Sequence, residues 1–314
     1  MKSPVLYLVF NRVDETIQSF ETIRKAKPPR LYIAADGPRN SVVGEAEICN
    51  SVRNIAINVD WDCQVFTLFR DINLGCKAAI VGAINWFFEC EPEGIILEDD
   101  VIPNADFFSF CDIILERYRE NENIKAVNGF NQFGQGVTHD SYFYSRGFYP
   151  WGWATWRSRW VNYKGNDIEI SRLNDKDIKD VYHKAAIEGV KFNLSIINKG
   201  ILDTWDYQMV YMIMCQKGFV VTPYANLTSN IGVNGAHSTN NQNIFFKYGV
   251  ISIDNLQHPK HIGDNKIMND KLWEEYKKAY FSVKIKSILF RNNMFEPLRY
   301  LYKKILKLYP SFKK

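Results

Sequence analysis

Hydrophobic positions in the first 130 residues alternate between short apolar runs and amphipathic stretches. Runs at 5–10, 31–35, 65–69 and 94–98 have the length of buried strands. Between them, 14–26 begins at Asp14, 43–58 carries Ile48, Val52, Ile55 and Val59, and 77–90 carries Ile80, Ile84, Phe87 and Phe88, all at helical spacing. A further helix is predicted over 105–119 with Asn104 as its N-cap, then a short strand over 126–129. Strands separated by helices of this length predict an α/β fold with a mostly parallel sheet and right-handed crossovers.

The second half is less periodic. Residues 142–163 hold ten aromatics, among them Trp151, Trp153, Trp156 and Trp160. A helix is expected over 175–188 and another from Asp203–Trp205 to about Lys217, with a loop rich in Asn, Gly, Ser and Thr over 222–243. There is no internal repeat and no low-complexity linker, which favours one catalytic unit.

Composition adds three constraints. At 314 residues, 46% hydrophobic and 24% charged, the chain is ordinary globular protein. The net charge of +4 is uneven, because 281–314 hold nine Lys/Arg and one Glu. A basic tail on a mildly acidic body is not the charge pattern of a nucleic-acid enzyme. Cys49, Cys63, Cys76, Cys90, Cys111 and Cys215 include no C-x-x-C pair, so free, mostly buried thiols in a reducing compartment are expected. The run at 5–10 is too short for a signal sequence, and no stretch of 18 apolar residues occurs, which together predict a cytoplasmic protein.

The candidate chemistry centres on Gly94-Ile95-Ile96-Leu97-Glu98-Asp99-Asp100, an apolar run that stops at three carboxylates. In open α/β sheets ligands bind outside the carboxyl ends of the strands. Adjacent carboxylates repel unless a cation offsets them, and a hard divalent ion with oxygen ligands would do so and attract a phosphate-bearing ligand. The first strand ends in Asn11-Arg12 without G-x-G-x-x-G, and there is no Walker A sequence.

These pieces occur in an order that resembles a family. Asn11-Arg12, Asp36-Gly37, Arg70 with Asn73-Leu74-Gly75-Cys76-Lys77, and Glu98-Asp99-Asp100 look like a GT-A glycosyltransferase, with a Glu-Asp-Asp form of the D-x-D motif similar to the N-acetylglucosaminyltransferase I group and its bacterial relatives. Trp205-Asp206, Thr222-Pro223, Ile231-Gly232 and Gly235-Ala236-His237 extend the resemblance over roughly residues 4–240. It implies a Rossmann-like sheet, a UDP-sugar donor, Mn²⁺ or Mg²⁺, and inverting transfer, with a nucleotide-sugar half over 1–130 and an acceptor and base half over 131–280.

The resemblance also implies roles. Asp100 is the metal ligand, Asp99 contacts ribose or a metal-bound water, and Glu98 supports the sugar or the metal's surroundings. Asp36 accepts from the uracil N3–H, although Asp36-Gly37-Pro38 also reads as a plain turn. Asn11 and Arg12 line the uracil or phosphate region, and Arg70 and Lys77 approach phosphate as point charges. Asp206 is the general base, with Asp203 one helical turn earlier as its rival; both also suit a helix's first turn. His237 either reaches the diphosphate or is an exposed loop residue. Gly152 and Trp153, with Trp205, are candidates for an acceptor pocket, against a core role for most of the aromatics.

Two readings of 281–314 stand: an amphipathic helix on an anionic membrane, or a helix packed on its own domain, with Pro297 splitting the segment. The function implied is transfer to a glycan or lipid-linked glycan, in the setting of bacterial surface polysaccharide synthesis. The alternatives are a sugar-nucleotide pyrophosphorylase, which lacks its Gly-rich basic loop here, and a non-catalytic carbohydrate-binding protein built on the aromatic cluster.

Overall fold

The computed structural model describes residues 1–133, 140–165, 168–232, 248–249, 251–295 and 297–298. Strands β1 (Val5–Val9), β2 (Arg30–Ala35), β3 (Gln64–Phe69) and β4 (Glu93–Glu98) alternate with helices α1 (Val13–Ala26), α2 (Glu45–Ala56) and α3 (Cys76–Cys90). Next come β5 (Val101–Pro103), α4 (Ala105–Tyr118), β6 (Ile124–Asn128), β7 (Tyr142–Ser145) and β8 (Trp153–Trp156). The one-turn α5 (Arg157–Trp160) and α6 (Lys176–Lys179) lead to α7 (Lys184–Asn198), α8 (Asp206–Cys215), β9 (Phe219–Pro223), β10 (Thr228–Asn230) and α9 (Lys266–Arg291).

Eight strands form one sheet in the order β3-β2-β1-β4-β8-β6-β9-β7. β8 runs antiparallel to both neighbours and β7 antiparallel to β9, so the other six strands share one direction. Their carboxyl ends therefore open on one edge. β5 and β10 pair antiparallel beside that edge. The expected mostly parallel α/β sheet flanked by helices is the architecture observed.

Burial explains the strand positions. Every residue of β1 is buried, as expected of a parallel strand covered on both faces. Tyr7 and Ile33 face a cluster with α1, α2 and α4, whereas Leu6, Leu8 and Tyr32 face α3 and α8. A third cluster joins α7, α8 and the inner face of α9 through Val190, Leu194, Tyr211 and Tyr276. The Asn104 side chain accepts from Phe107 N at 3.1 Å, which gives α4 its predicted cap.

The second half departs from expectation. No helix spans 175–188: Leu173, Ile178 and Tyr182 pack as short turns, and the His183 ring accepts from Ala185 N at 3.1 Å to start α7 at Lys184. The aromatic run supplies β7 and β8. α9 runs continuously from Lys266 to Arg291. The thiols are free, but only Cys49 and Cys111 are buried, while Cys76 and Cys90 are exposed. Among the described residues no helix is long and apolar enough to cross a membrane.

Candidate functional site

Three carboxylates stand where β4 leaves the sheet. β1 lies beside β4, with Leu8 opposite Glu98, so the residues after β1 reach the same corner. Asp99 and Asp100 are only 3% and 7% exposed. Phe10 N donates to Asp99 Oδ2 at 3.0 Å. The Arg12 Nη1 donates to Asp99 Oδ1 at 2.8 Å and to Asp100 Oδ2 at 2.9 Å. Asn230 Nδ2, at the end of β10, donates to Asp100 Oδ1 at 3.2 Å. Backbone closes the remaining side: Ile231 N donates to the Asp100 carbonyl at 2.8 Å, and Gly232 N to Asn230 Oδ1 at 2.8 Å. A Cβ at Gly232 would lie 2.2 Å from Asp100 Oδ2, so a larger residue there requires Asp100 or the backbone to shift.

The corner is short of positive charge. Burial and repulsion from Asp100 and Asp99 push Glu98 well above the usual carboxylate range. Burial, with repulsion from Asp100, pushes Asp99 up to about 6 against the pull of Arg12. Burial likewise raises Asp100. One guanidinium thus serves three acidic side chains. Oxygen donors in this state suit a hard divalent cation that keeps several waters, and Asp100 Oδ2 is the oxygen at which Arg12 would yield to it. Among the described residues no group of three or more His, Cys, Asp or Glu side chains is placed to hold a metal ion.

Asp206 opens α8 on the same edge. Thr204 Oγ1 donates to its Oδ1 at 2.5 Å, and its charge contributes to raising Glu98. Although Cys76 is exposed as a residue, its thiol is raised first by desolvation and then by the charges of Glu98, Asp203 and Asp206. These groups therefore share one acidic cleft at the start of α3. Asp203 is bound differently from Asp206: its Oδ1 accepts from Lys77 N at 3.3 Å, at the N-terminus of α3. Tyr163 stacks on Trp160 at 4.3 Å and donates to the Trp205 carbonyl at 3.0 Å, beside Asp206.

The other expected residues are placed as follows. Asp36 accepts from Leu74 N at 3.0 Å and Gly75 N at 3.2 Å, which pins the turn entering α3. Asn11 Nδ2 donates to Glu45 Oε1 at 2.9 Å, and Glu45 also holds Arg39. The half-buried Arg70 guanidinium lies over Gly82 of α3. Gly152 has φ +75°, and a Cβ there would meet Thr228 Cγ2 at 2.8 Å. His237 lies outside the described residues.

Arg12, expected on uracil or phosphate, is bound to Asp99 and Asp100. Trp153 is 0% exposed and stacks on Trp205 at 5.5 Å within the core, so neither indole offers a face to a sugar. Trp151, half-buried against Phe130, is the tryptophan of this run nearest solvent. Sequence reasoning missed Asn230, whose place depends on the β5–β10 pairing. A separate cleft of about 390 Å³ lies at the opposite edge of the sheet, between Glu93, Arg119, Trp156 and Arg159. There Arg119 is paired with Glu93 and Glu116, and Arg159 donates to main-chain carbonyls.

No protein-family model and no curated protein matches the chain. Solved structures with similar folds include a UDP-glucose pyrophosphorylase complexed with UDP-glucose, at 9% identity over 71% of this chain and 90% of that one, with a TM-score of 0.35. Mouse xyloside xylosyltransferase 1 is similar at 8% identity over 68% and 81%, with a TM-score of 0.33. The glycosyltransferase GlyE of Streptococcus pneumoniae TIGR4 is similar at 12% identity over 71% and 54%, with a TM-score of 0.29. Likenesses this distant assign no activity to the chain.

Proposed function

We propose that the chain is an inverting, divalent-metal-dependent glycosyltransferase of the GT-A kind, moving a sugar from a UDP-sugar to a hydroxyl of a glycan or lipid-linked glycan. One observation carries the reading. The buried, under-neutralised Glu98-Asp99-Asp100 corner opens on the carboxyl edge of a mostly parallel sheet, within electrostatic reach of Asp206. That edge is where open α/β sheets bind ligands. The burial of Trp153 and Trp205 speaks against a carbohydrate-binding module built on exposed aromatics.

Mn²⁺ or Mg²⁺ held at Asp100 would supply Lewis-acid stabilisation of the diphosphate leaving group. Asp99, fixed by Phe10 N and Arg12, is assigned to the ribose side, and Glu98 to the sugar side. Arg12, once shifted from Asp100, and Arg70 are the cations assigned to phosphate oxygens. Asp36 holds the turn into α3 and so shapes the pocket assigned to uracil. Asp206 takes the acceptor proton at Oδ2, since Thr204 holds Oδ1 and sets the carboxylate plane. Inversion requires that base on the face opposite the leaving group, and a nearby carboxylate also favours an oxocarbenium-like transition state.

The test is UDP release from a panel of UDP-sugars, with and without Mn²⁺. Wild type should require the metal, and Asp100→Ala should abolish the requirement and the rate together. Asp206→Asn should keep donor binding and lose transfer by about 100-fold. Donor turnover indifferent to both metal and Asp100→Ala would refute the metal-dependent reading. Pyrophosphate release from UTP and a sugar 1-phosphate would mark a pyrophosphorylase instead.

A further inference from the structure

Helix α9 has two unlike halves. Its first half is bound to the body: Met268 and Leu272 are buried, and Trp273 and Tyr276 join the cluster around α7. The same inward face continues to the end of the helix, where Phe290 and Phe295 pack against Phe192 of α7 at 6.2 and 5.6 Å between ring centres. The helix is therefore held on its own domain along its whole length. At 100° per residue, Phe281, Ile285 and Ile288 fall on the opposite face. They are 74%, 43% and 48% exposed.

That outer face changes character along the helix. Over its first turns it carries Asp270, Glu274, Lys277 and Lys278, with Lys277 paired to Glu274 and Lys278 to Glu275. From Phe281 onward the acids stop. At the same spacing Lys284 and Arg291 border the apolar stripe, and within 281–314 Glu296 is the single acid among nine Lys/Arg. Beyond the helix end, Met294 and Leu298 are also exposed.

We propose that the Phe281–Ile285–Ile288 face of α9 docks on an anionic lipid bilayer, with the body of the protein above the surface. A row of large apolar side chains bordered by Lys and Arg matches the interfacial boundary of such a bilayer: the row enters the acyl region and the cations meet lipid phosphates. A flat surface also fits a straight stripe without a groove. This docking does not depend on the catalytic reading, because none of these residues belongs to the acidic site.

The experiment uses the full chain and vesicle co-sedimentation. Wild type should bind phosphatidylcholine vesicles that contain phosphatidylglycerol, bind pure phosphatidylcholine weakly, and lose affinity as salt is raised. Phe281→Ser/Ile285→Ser/Ile288→Ser should bind the anionic vesicles about 30-fold or more weakly, since three apolar side chains leave the membrane. Its thermal midpoint should stay close to that of wild type, because none of the three side chains is buried in the core. Lys284→Gln/Arg291→Gln should retain part of the binding with a weaker salt dependence. Equal binding by the apolar triple variant overturns the proposal, as does absence of binding by wild type. Wild-type dimers that the triple variant dissociates, without vesicle binding, would assign the face to a second copy of the chain and also overturn it.

Discussion

Replacing Gly232 by alanine tests the geometry of the acidic corner with a single methyl group. The new Cβ would sit 2.2 Å from Asp100 Oδ2 and 3.0 Å from its Cγ, both inside the ordinary non-bonded contact distance of about 3.5 Å. Two relaxations are open. Asp100 can rotate, which breaks its bonds from Arg12 at 2.9 Å and Asn230 at 3.2 Å. Alternatively the backbone can withdraw, which strains the Ile231 N bond to the Asp100 carbonyl and the end of β10. Either route loses a hydrogen bond to a charged group or forces an overpacked contact, each worth about 1–3 kcal/mol. Taking about 2 kcal/mol, Gly232→Ala should weaken Mn²⁺-dependent donor use by about 30-fold. The assay is UDP release at varied Mn²⁺ and donor, with Gly263→Ala as control, because a Cβ at Gly263 meets nothing within 4 Å. Wild-type metal dependence and rate in Gly232→Ala would show that this backbone does not lie against Asp100 in the working protein.

Two further outcomes concern the acidic corner and the core beneath β4. Arg12→Gln leaves the buried acids without their guanidinium, a loss on the scale of about 3–5 kcal/mol for a broken buried pair; the half-exposed arginine puts the effect at the lower end. Its thermal midpoint should fall at neutral pH, and added Mn²⁺ should restore it by more than Mn²⁺ raises wild type; a midpoint that Mn²⁺ does not move would refute the competition at Asp100. Gly94→Ala puts a methyl 2.3 Å from Phe87 Cζ and 2.9 Å from the Pro4 carbonyl in the core, so chemical denaturation should report a loss of about 1–3 kcal/mol, and unchanged stability would mean that Phe87 is not packed there.

The residues differ in how far their roles could be read before folding. Glu98-Asp99-Asp100 were legible as a strand end, because an apolar run stopping at charge is a local signal. The Asn104 cap was legible for the same reason. Asp206 at a helix start was also visible, although its closeness to Glu98 was not. The pairing of Arg12 with Asp99 was not legible, because the two lie 87 residues apart and only the adjacency of β1 and β4 joins them. The core role weighed for most of the aromatic run was legible in its composition, but whether Trp153 itself faces a sugar or the core depends on β8 running antiparallel between β4 and β6.

What the sequence determined by itself was the alternating α/β order of the first half and the chemistry of its strand end. Both depend on neighbours along the chain, through hydrophobic period, caps and consecutive charges. The tertiary structure decided everything that required two distant segments to meet. It closed Arg12, Asn230 and Gly232 around Asp100, buried Trp153, and turned the late apolar face of α9 to solvent while its inner face packed on α7. Such contacts follow from strand order and helix packing, which the burial of the whole core settles and no local pattern encodes.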